Sequence, residues 1–526
     1  MGPHSRRKFL DNVGRGMLMT GLGASLALDL GVGNAFSKEN SPENTALPLG
    51  SHADLVRLLQ ETPADKLQPL LVDKLSRGET DLGKLISAAA LANAEIFGGH
   101  DYVGFHTAMA MLPALGIKEL LPTERQPLPI LKVIYRNAQQ IQQFGGASKK
   151  TLQELHEAEH AAEQAPDTNA VGLKIREATR TPDLNRAESL FVSLKDQPTE
   201  KMLEALQPAV QDEIDVHRFV FAYRTYGLSK LLGHEFAHTL LRQCLGFCVD
   251  AESNMIARKY PGSGIRTVLP KLIDQYKLAS VAFGKRDPGD AWVDATSLAI
   301  YNGPADRAAD VVAAALADGV DPEVVGEAIS LASNLLILRQ GQGGNEWRTH
   351  GDSRGVHSSD ATNAWRNMAR VMEPQHAASG LIVAAYHSAR HGAFATPAYP
   401  TAEHRALIKM TDPVALLNEA DDAVRHNDQA RAAAAIQLYG EGGHAPAAVL
   451  ERMLKFTISE DGRLHGEKYF HTVTEEYRTT REAFRWRQMV ALARVTASSF
   501  GYDRQDKHGT RAPGYEEACR LLGVEA

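Results

Sequence analysis

The sequence predicts an all-α protein built as a layered bundle of many helices. From Ala53 onward, apolar residues recur at spacings of three and four, and alternating strand-like runs are rare. Alanine and leucine dominate runs such as 82–94, 311–317, 322–338 and 430–438. Asp321-Pro322-Glu323 is a helix start, with aspartate as cap and proline in the first turn. Hydrophobic residues make up 44% of the 526, enough for a substantial core, and the net charge is -7. For this length that charge is mild, so neither a nucleic-acid nor an anionic-membrane surface is implied.

At the N-terminus, Ser5-Arg6-Arg7-Lys8-Phe9-Leu10 precedes an apolar run at 17–32 and the small residues Gly33-Asn34-Ala35. This resembles a twin-arginine (Tat) signal peptide over residues 1–35. The resemblance implies export of the folded chain by the Tat translocase, cleavage after Ala35, a periplasmic or secreted location and often a bound cofactor. Asp11 stands where that pattern usually has lysine, and Asp29 interrupts the apolar run. The run is too short and glycine-rich for a stable transmembrane anchor. Residues 36–50, with Pro42 and Pro48, read as a linker. Two helical halves are expected beyond it, 51–300 and 301–526, or one continuous domain. The more polar stretch 165–196 reads as a surface excursion or a boundary.

An internal repeat is visible. Pro63-Ala64-Asp65 and Pro304-Ala305-Asp306 open two segments. Gly78 and Asp81 follow in one, Gly319 and Asp321 in the other, and each then enters an alanine-rich helix bearing Ile86-Ser87 or Ile329-Ser330. In this reading His100 corresponds to His357, His106 to Asn363, and Met111 to Met368. Such a duplication predicts a site where two halves face each other. The second copy carries an extra glycine-rich loop, 340–355, of the kind that often serves as a lid.

His234-Glu235-Phe236-Ala237-His238 has the His-Glu-x-x-His form. On a helix, two histidines one turn apart share a zinc ion and the glutamate activates bound water. The motif resembles the zincin metallohydrolases over little more than this segment. It implies His234 and His238 as metal ligands, Glu235 as catalytic base, and Glu252 or Asp250 as third ligand. A zincin has strands ahead of the motif helix, whereas 219–232 reads as helical here. The same spacing recurs at His156/His160, in a charged run, and at His387/His391, at the end of an apolar helix. Glu157/His160 and Glu235/His238 also offer the raw material of a di-iron carboxylate site, without identifiable partner glutamates.

A second constellation is non-local. His100 and His106 follow Gly98-Gly99, His357 opens the matching stretch of the second copy, and His465 and His471 repeat the six-residue spacing. With Asn363, His387 and His391 they define an alternative His-rich pocket. The stretches from Gly99-His100 to His106-Thr107-Ala108-Met109 and from His357 to Trp365 resemble questin-oxidase-like helical proteins. That family is associated with oxidative ring opening of aromatic polyketides, which implies oxidoreductase chemistry.

Cys244, Cys248 and Cys519 form no disulfide framework and are expected as buried thiols. No haem-attachment motif, nucleophile elbow or dinucleotide fingerprint occurs. The basic aromatic stretch 481–487 reads as a packing helix with snorkelling arginines. The sequence thus leads to an exported enzyme dependent on a divalent metal, zinc or iron. Hydrolysis at His234/Glu235/His238 stands marginally ahead of oxidoreductase chemistry in the pocket between repeats. A non-enzymatic helical envelope protein is the third reading.

Overall fold

The computed structural model of the chain describes residues 47–100, 102–152, 167–341, 353–501 and 514–525. The Tat-like segment, most of the linker, His156, His160 and residues 342–352 of the glycine-rich loop lie outside the described residues.

The described residues form 23 α-helices and no strand, so the fold is all-α. The first eleven are α1 (Ala53–Glu61), α2 (Ala64–Ser76), α3 (Leu82–Phe97), α4 (Tyr102–Ile117), α5 (Pro127–Phe144), α6 (Thr168–Arg180), α7 (Leu184–Val192), α8 (Thr199–Val210), α9 (Val216–Leu232), α10 (Ala237–Ala257) and α11 (Ile265–Gln275). The rest are α12 (Asp290–Asn302), α13 (Ala305–Ala317), α14 (Pro322–Arg339), α15 (Arg354–Ala369), α16 (Pro374–Arg390), α17 (Ala402–Leu407), α18 (Pro413–Arg425), α19 (Gln429–Glu441), α20 (Pro446–Ile458), α21 (Arg463–Thr479), α22 (Trp486–Ser499) and α23 (Gly514–Leu522).

The helices correspond in two series, α1–α11 and α12–α23, with α17 as an extra element in the second. The same local chemistry starts equivalent helices. Asp81 and Asp321 cap α3 and α14, Asp167 and Asp412 cap α6 and α18, and Asp183 and Asp428 cap α7 and α19. Gly78 and Gly319 take left-handed φ values of 68° and 74° in the turns before α3 and α14.

Buried hydrogen bonds fix the register more finely. Asn93 Nδ2 donates to Thr107 Oγ1 (3.0 Å) and Asn137 Oδ1 (2.7 Å), joining α3 to α4 and α5. The Ser333 hydroxyl pairs with Ser358 (2.9 Å) and Ser388 (2.8 Å), joining α14 to α15 and α16 in the same way. Thr107 therefore matches Ser358, and the preceding residue, His106, matches His357. The close approaches agree: a Cβ on Gly104 would meet the Phe97 ring at 2.6 Å, and one on Gly355 would meet Ile337 at 2.3 Å. The expected pairing of His100 with His357 is thus displaced by six residues, and Asn363 matches Leu112 instead of His106. Alanine-rich helices resemble one another in several registers, and the longer α14–α15 connection absorbs the offset.

The halves interlock. Helix α11 packs on α13 and α16, and α23 packs on α2 and α5, so each series ends against the start of the other. One core joins α1–α5 to α18–α23, and a second joins α6–α10 to α11–α16. The boundary between the series falls at 276–289, because a cut at residue 300 would divide α12. The polar stretch 165–196 is no excursion: α6 and α7 bury Ile175, Ala187 and Phe191 in the second core. Residues 481–485 form a turn ahead of α22 in which Arg481 bridges Asp287, Asp290 and Glu327. All three cysteines are buried free thiols. Among the described residues no helix is long and apolar enough to cross a membrane.

Gly104→Ala and Gly355→Ala should each lower the thermal unfolding midpoint followed by circular dichroism, at a cost of roughly 1–3 kcal/mol from overpacking. The second should be worse, because its Cβ would also meet backbone, the Ile337 nitrogen at 2.5 Å, which cannot rotate aside as a phenyl ring can.

Candidate functional site

Four helices meet between the cores. Helix α9 packs on both α4 and α15, and α21 packs on both α15 and α4, as expected around a pseudo-twofold axis. The equivalence of α9 and α21 is visible in side chains: Gly227 lies against Leu112 on α4, and the matching residues, Glu475 and Asn363, interact on the other side. Each helix places one histidine in its first turns: His106 on α4, His217 on α9, His357 on α15 and His465 on α21.

Their rings close a circuit. Centroid separations are 4.9 Å for His106–His217, 5.2 Å for His106–His465, 5.7 Å for His357–His465 and 6.1 Å for His217–His357. The pseudo-twofold exchanges His106 with His357 and His217 with His465, so a 4.9 Å contact is matched by 5.7 Å and a 5.2 Å contact by 6.1 Å. All four Nε2 atoms are enclosed by protein.

Hydrogen bonds orient His217 and His357. Asp215 caps α9 through the His217 backbone N–H and also takes His217 Nδ1 at 3.0 Å. His217, with Arg218 beside it, keeps the Asp215 carboxyl below its ordinary range despite burial. His357 Nδ1 lies 3.2 Å from the Ser353 carbonyl oxygen, which can only accept. The proton is therefore on Nδ1, and in the neutral ring Nε2 carries the lone pair. A carboxylate or carbonyl behind Nδ1 is the usual support of a metal-binding imidazole.

The surroundings differ on the two sides of the axis. Phe105 packs against His217 (5.4 Å), Phe221 (6.0 Å) and Phe247 (4.8 Å), forming an apolar wall on the first-half side. On the other side lie Asp360 and Tyr469, one turn beyond His357 and His465, where the first half has Met109 and Phe221. Asp360 accepts from Thr472 at 2.7 Å, and burial raises its carboxyl above the ordinary range. His387 and His391, 5.1 Å apart on α16, lie near His357. Burial, then the charge of Arg390, pushes His387 down to about 3, and His391 is lowered well below the ordinary histidine value chiefly by burial.

The structure brings together His106, His357 and His465 of the expected pocket, with His387 and His391 near His357, and adds His217. His100 is turned away: its Nδ1 pairs with Asp250 Oδ2 at 2.5 Å, and its ring sits at Gly246 of α10. Asn363 faces α21, donating to Glu476 at 3.0 Å. His217 carries no motif of its own; the one signal is Asp215-Val216-His217 at a helix start.

The His-Glu-x-x-His residues do not converge. His234 and Glu235 are exposed on a 3-10 turn after Gly233, and α10 begins only at Ala237. His234 lies 3.4 Å from the Thr199 hydroxyl, while His238 stacks on Phe191 at 4.8 Å. Glu252 lies on the same helix about 21 Å along its axis from His238 and is neutralised by Arg218 (2.8 Å) and Arg266. This glutamate cannot complete a shell with His238. Asp250 is committed to His100.

Among the described residues no three His, Cys, Asp or Glu side chains already stand in a geometry that could hold a metal ion. Imidazoles bound through Nε2 at about 2.1 Å place neighbouring ring centroids roughly 5 Å apart, and the circuit spans 4.9 to 6.1 Å. Compared with models of protein families, with curated proteins and with solved structures, the chain matches none.

Burial and the nearby Arg242 push His238 down to about 4. Its unfolded value near 6.5 is higher, so the unfolded chain binds the extra proton between these limits. Stability from this group is complete above about pH 6.5 and is lost as pH falls toward 4, by no more than about 3 kcal/mol. Thermal melts of His238→Phe should show a shallower loss over that window than the parent.

Proposed function

We propose that the chain is a metal-dependent oxidoreductase whose metal, iron in the favoured version, is held by His106, His217, His357 and His465. The observation that carries this is the closed circuit of four imidazoles from four helices, with His217 and His357 fixed in the tautomer that leaves Nε2 as donor. Imidazole sets suit iron, zinc, copper and nickel, and without thiolates or a carboxylate in the circuit they leave the metal its full positive charge. Bound iron would supply one-electron exchange with substrate and an oxidant.

The choice of oxidation over hydrolysis rests on what flanks the circuit. Asp215 is engaged by His217 and is no free base for water. Phe105, Phe221 and Phe247 offer an apolar wall for an organic substrate and exclude water from that side. The resemblance of the His106 and His357 stretches to questin-oxidase-like proteins points the same way, and a folded cofactor-bearing protein would suit Tat export. Asp215 sets the orientation of His217; buried Asp360, its carboxyl raised toward the protonated form, is the group positioned to hold a proton near His357.

Elemental analysis of the full chain should give about one iron per protein, and His217→Ala or His357→Ala should abolish it. Asp215→Asn should weaken metal binding roughly 10- to 100-fold, as loss of a carboxylate behind a ligand does. His234→Ala should keep the metal. Loss of metal from His234→Ala with retention in His217→Ala would replace this reading with the hydrolase.

A further inference from the structure

We infer that Arg224 is an anion-recognition residue, built to receive a carboxylate carried by the substrate of the site proposed above. The inference rests on that reading for the position of the reacting end, but the observations on Arg224 are separate from it. Arg224 follows His217 by seven residues on α9, which places it on the same helix face about 10 Å further along the axis. It is 3% exposed, and its Nε is enclosed with no acceptor. Among the described residues the guanidinium makes no hydrogen bond and no ion pair; it lies over the neighbouring Tyr223 ring at 4.8 Å.

A buried guanidinium without an acceptor is costly, because its hydration is lost and nothing planar replaces it. The carboxylates close enough to act on it electrostatically are engaged elsewhere. Glu475 takes His471 (3.3 Å), Asn367 (3.1 Å) and Tyr223 (3.5 Å), and Asp360 takes Thr472 (2.7 Å). Thr472 is also the pseudo-twofold equivalent of Arg224: one copy of the position is a satisfied hydroxyl and the other an unsatisfied cation. The fold therefore tolerates a small neutral residue there, and the charge is an addition on one side of the axis. With the Glu475 carboxylate nearby, a monoanion is favoured over a dianionic phosphate. A carboxylate matches the planar fork with two parallel bonds. The substrate class that follows is a small organic acid with its carboxylate at Arg224 and its reacting end at the imidazole circuit.

The test uses the full, metal-loaded chain with sodium benzoate as probe and sodium chloride at equal ionic strength as control. Benzoate should raise the thermal midpoint in a concentration-dependent way and chloride should not. Arg224→Met should weaken benzoate binding about 10- to 100-fold, the loss expected for a hydrogen bond to a charged group, while retaining full metal content. Arg224→Lys, which keeps the charge without the fork, should bind with intermediate strength. His217→Ala should lose metal yet keep the benzoate shift, so failure of the metal reading and failure of this one are distinguishable. Absence of a benzoate-specific shift in the parent overturns the proposal. So does an unchanged shift in Arg224→Met, or failure of both Arg224 variants to fold, since the guanidinium would then be structural.

Discussion

Four imidazole rings are brought together at the pseudo-twofold axis, and burying them removes their hydration. The rest of the molecule is arranged to hold them there. Each of the four helices bearing a histidine packs against two of the others, one of its own series and one of the other series. The Asn93 and Ser333 hydrogen-bond nodes fix α4 and α15 against their neighbours, and Gly104 and Gly355 allow the preceding helix to come close. A buried polar node of this kind fixes register more strongly than alanine packing, because any slip leaves donors unsatisfied.

Duplication explains the symmetry of the circuit, and divergence after duplication explains its two faces. One side became aromatic and apolar through Phe105, Phe221 and Phe247. The other acquired Asp360 and Tyr469 where the first half has Met109 and Phe221, polar groups that are costly to bury. The cation at Arg224, opposite Thr472, follows the same pattern. Polar groups retained on one side of a symmetric scaffold point to a ligand that is itself asymmetric, with an apolar body and a polar end.

Helical periodicity made the fold class, most helix positions and the duplication legible in the sequence. The capping aspartates Asp81 and Asp321 marked equivalent helix starts in the two copies. The register was not legible, since Ile86-Ser87 and Ile329-Ser330 match by composition while the Asn93/Ser333 equivalence is visible only through partners far along the chain. The site was half legible. His106, His357, His387, His391 and His465 stood out as histidines after glycine-bearing turns or at helical spacing. His217 did not, because its meaning depends on three other helices. His234-Glu235-Phe236-Ala237-His238 drew the eye for the opposite reason: a local motif presumes one continuous helix, and Gly233 with the 3-10 turn at His234–Phe236 denies it that helix.

The central claim is that His106, His217, His357 and His465 form one metal centre. X-ray absorption spectroscopy at the iron edge of the loaded full chain addresses it most directly. The expected result is a first shell at about 2.1 Å with the outer-shell scattering of three to four imidazoles and no sulfur, and one imidazole fewer in a variant lacking His465. A first shell of oxygen alone, or an imidazole count unchanged in that variant, would contradict it.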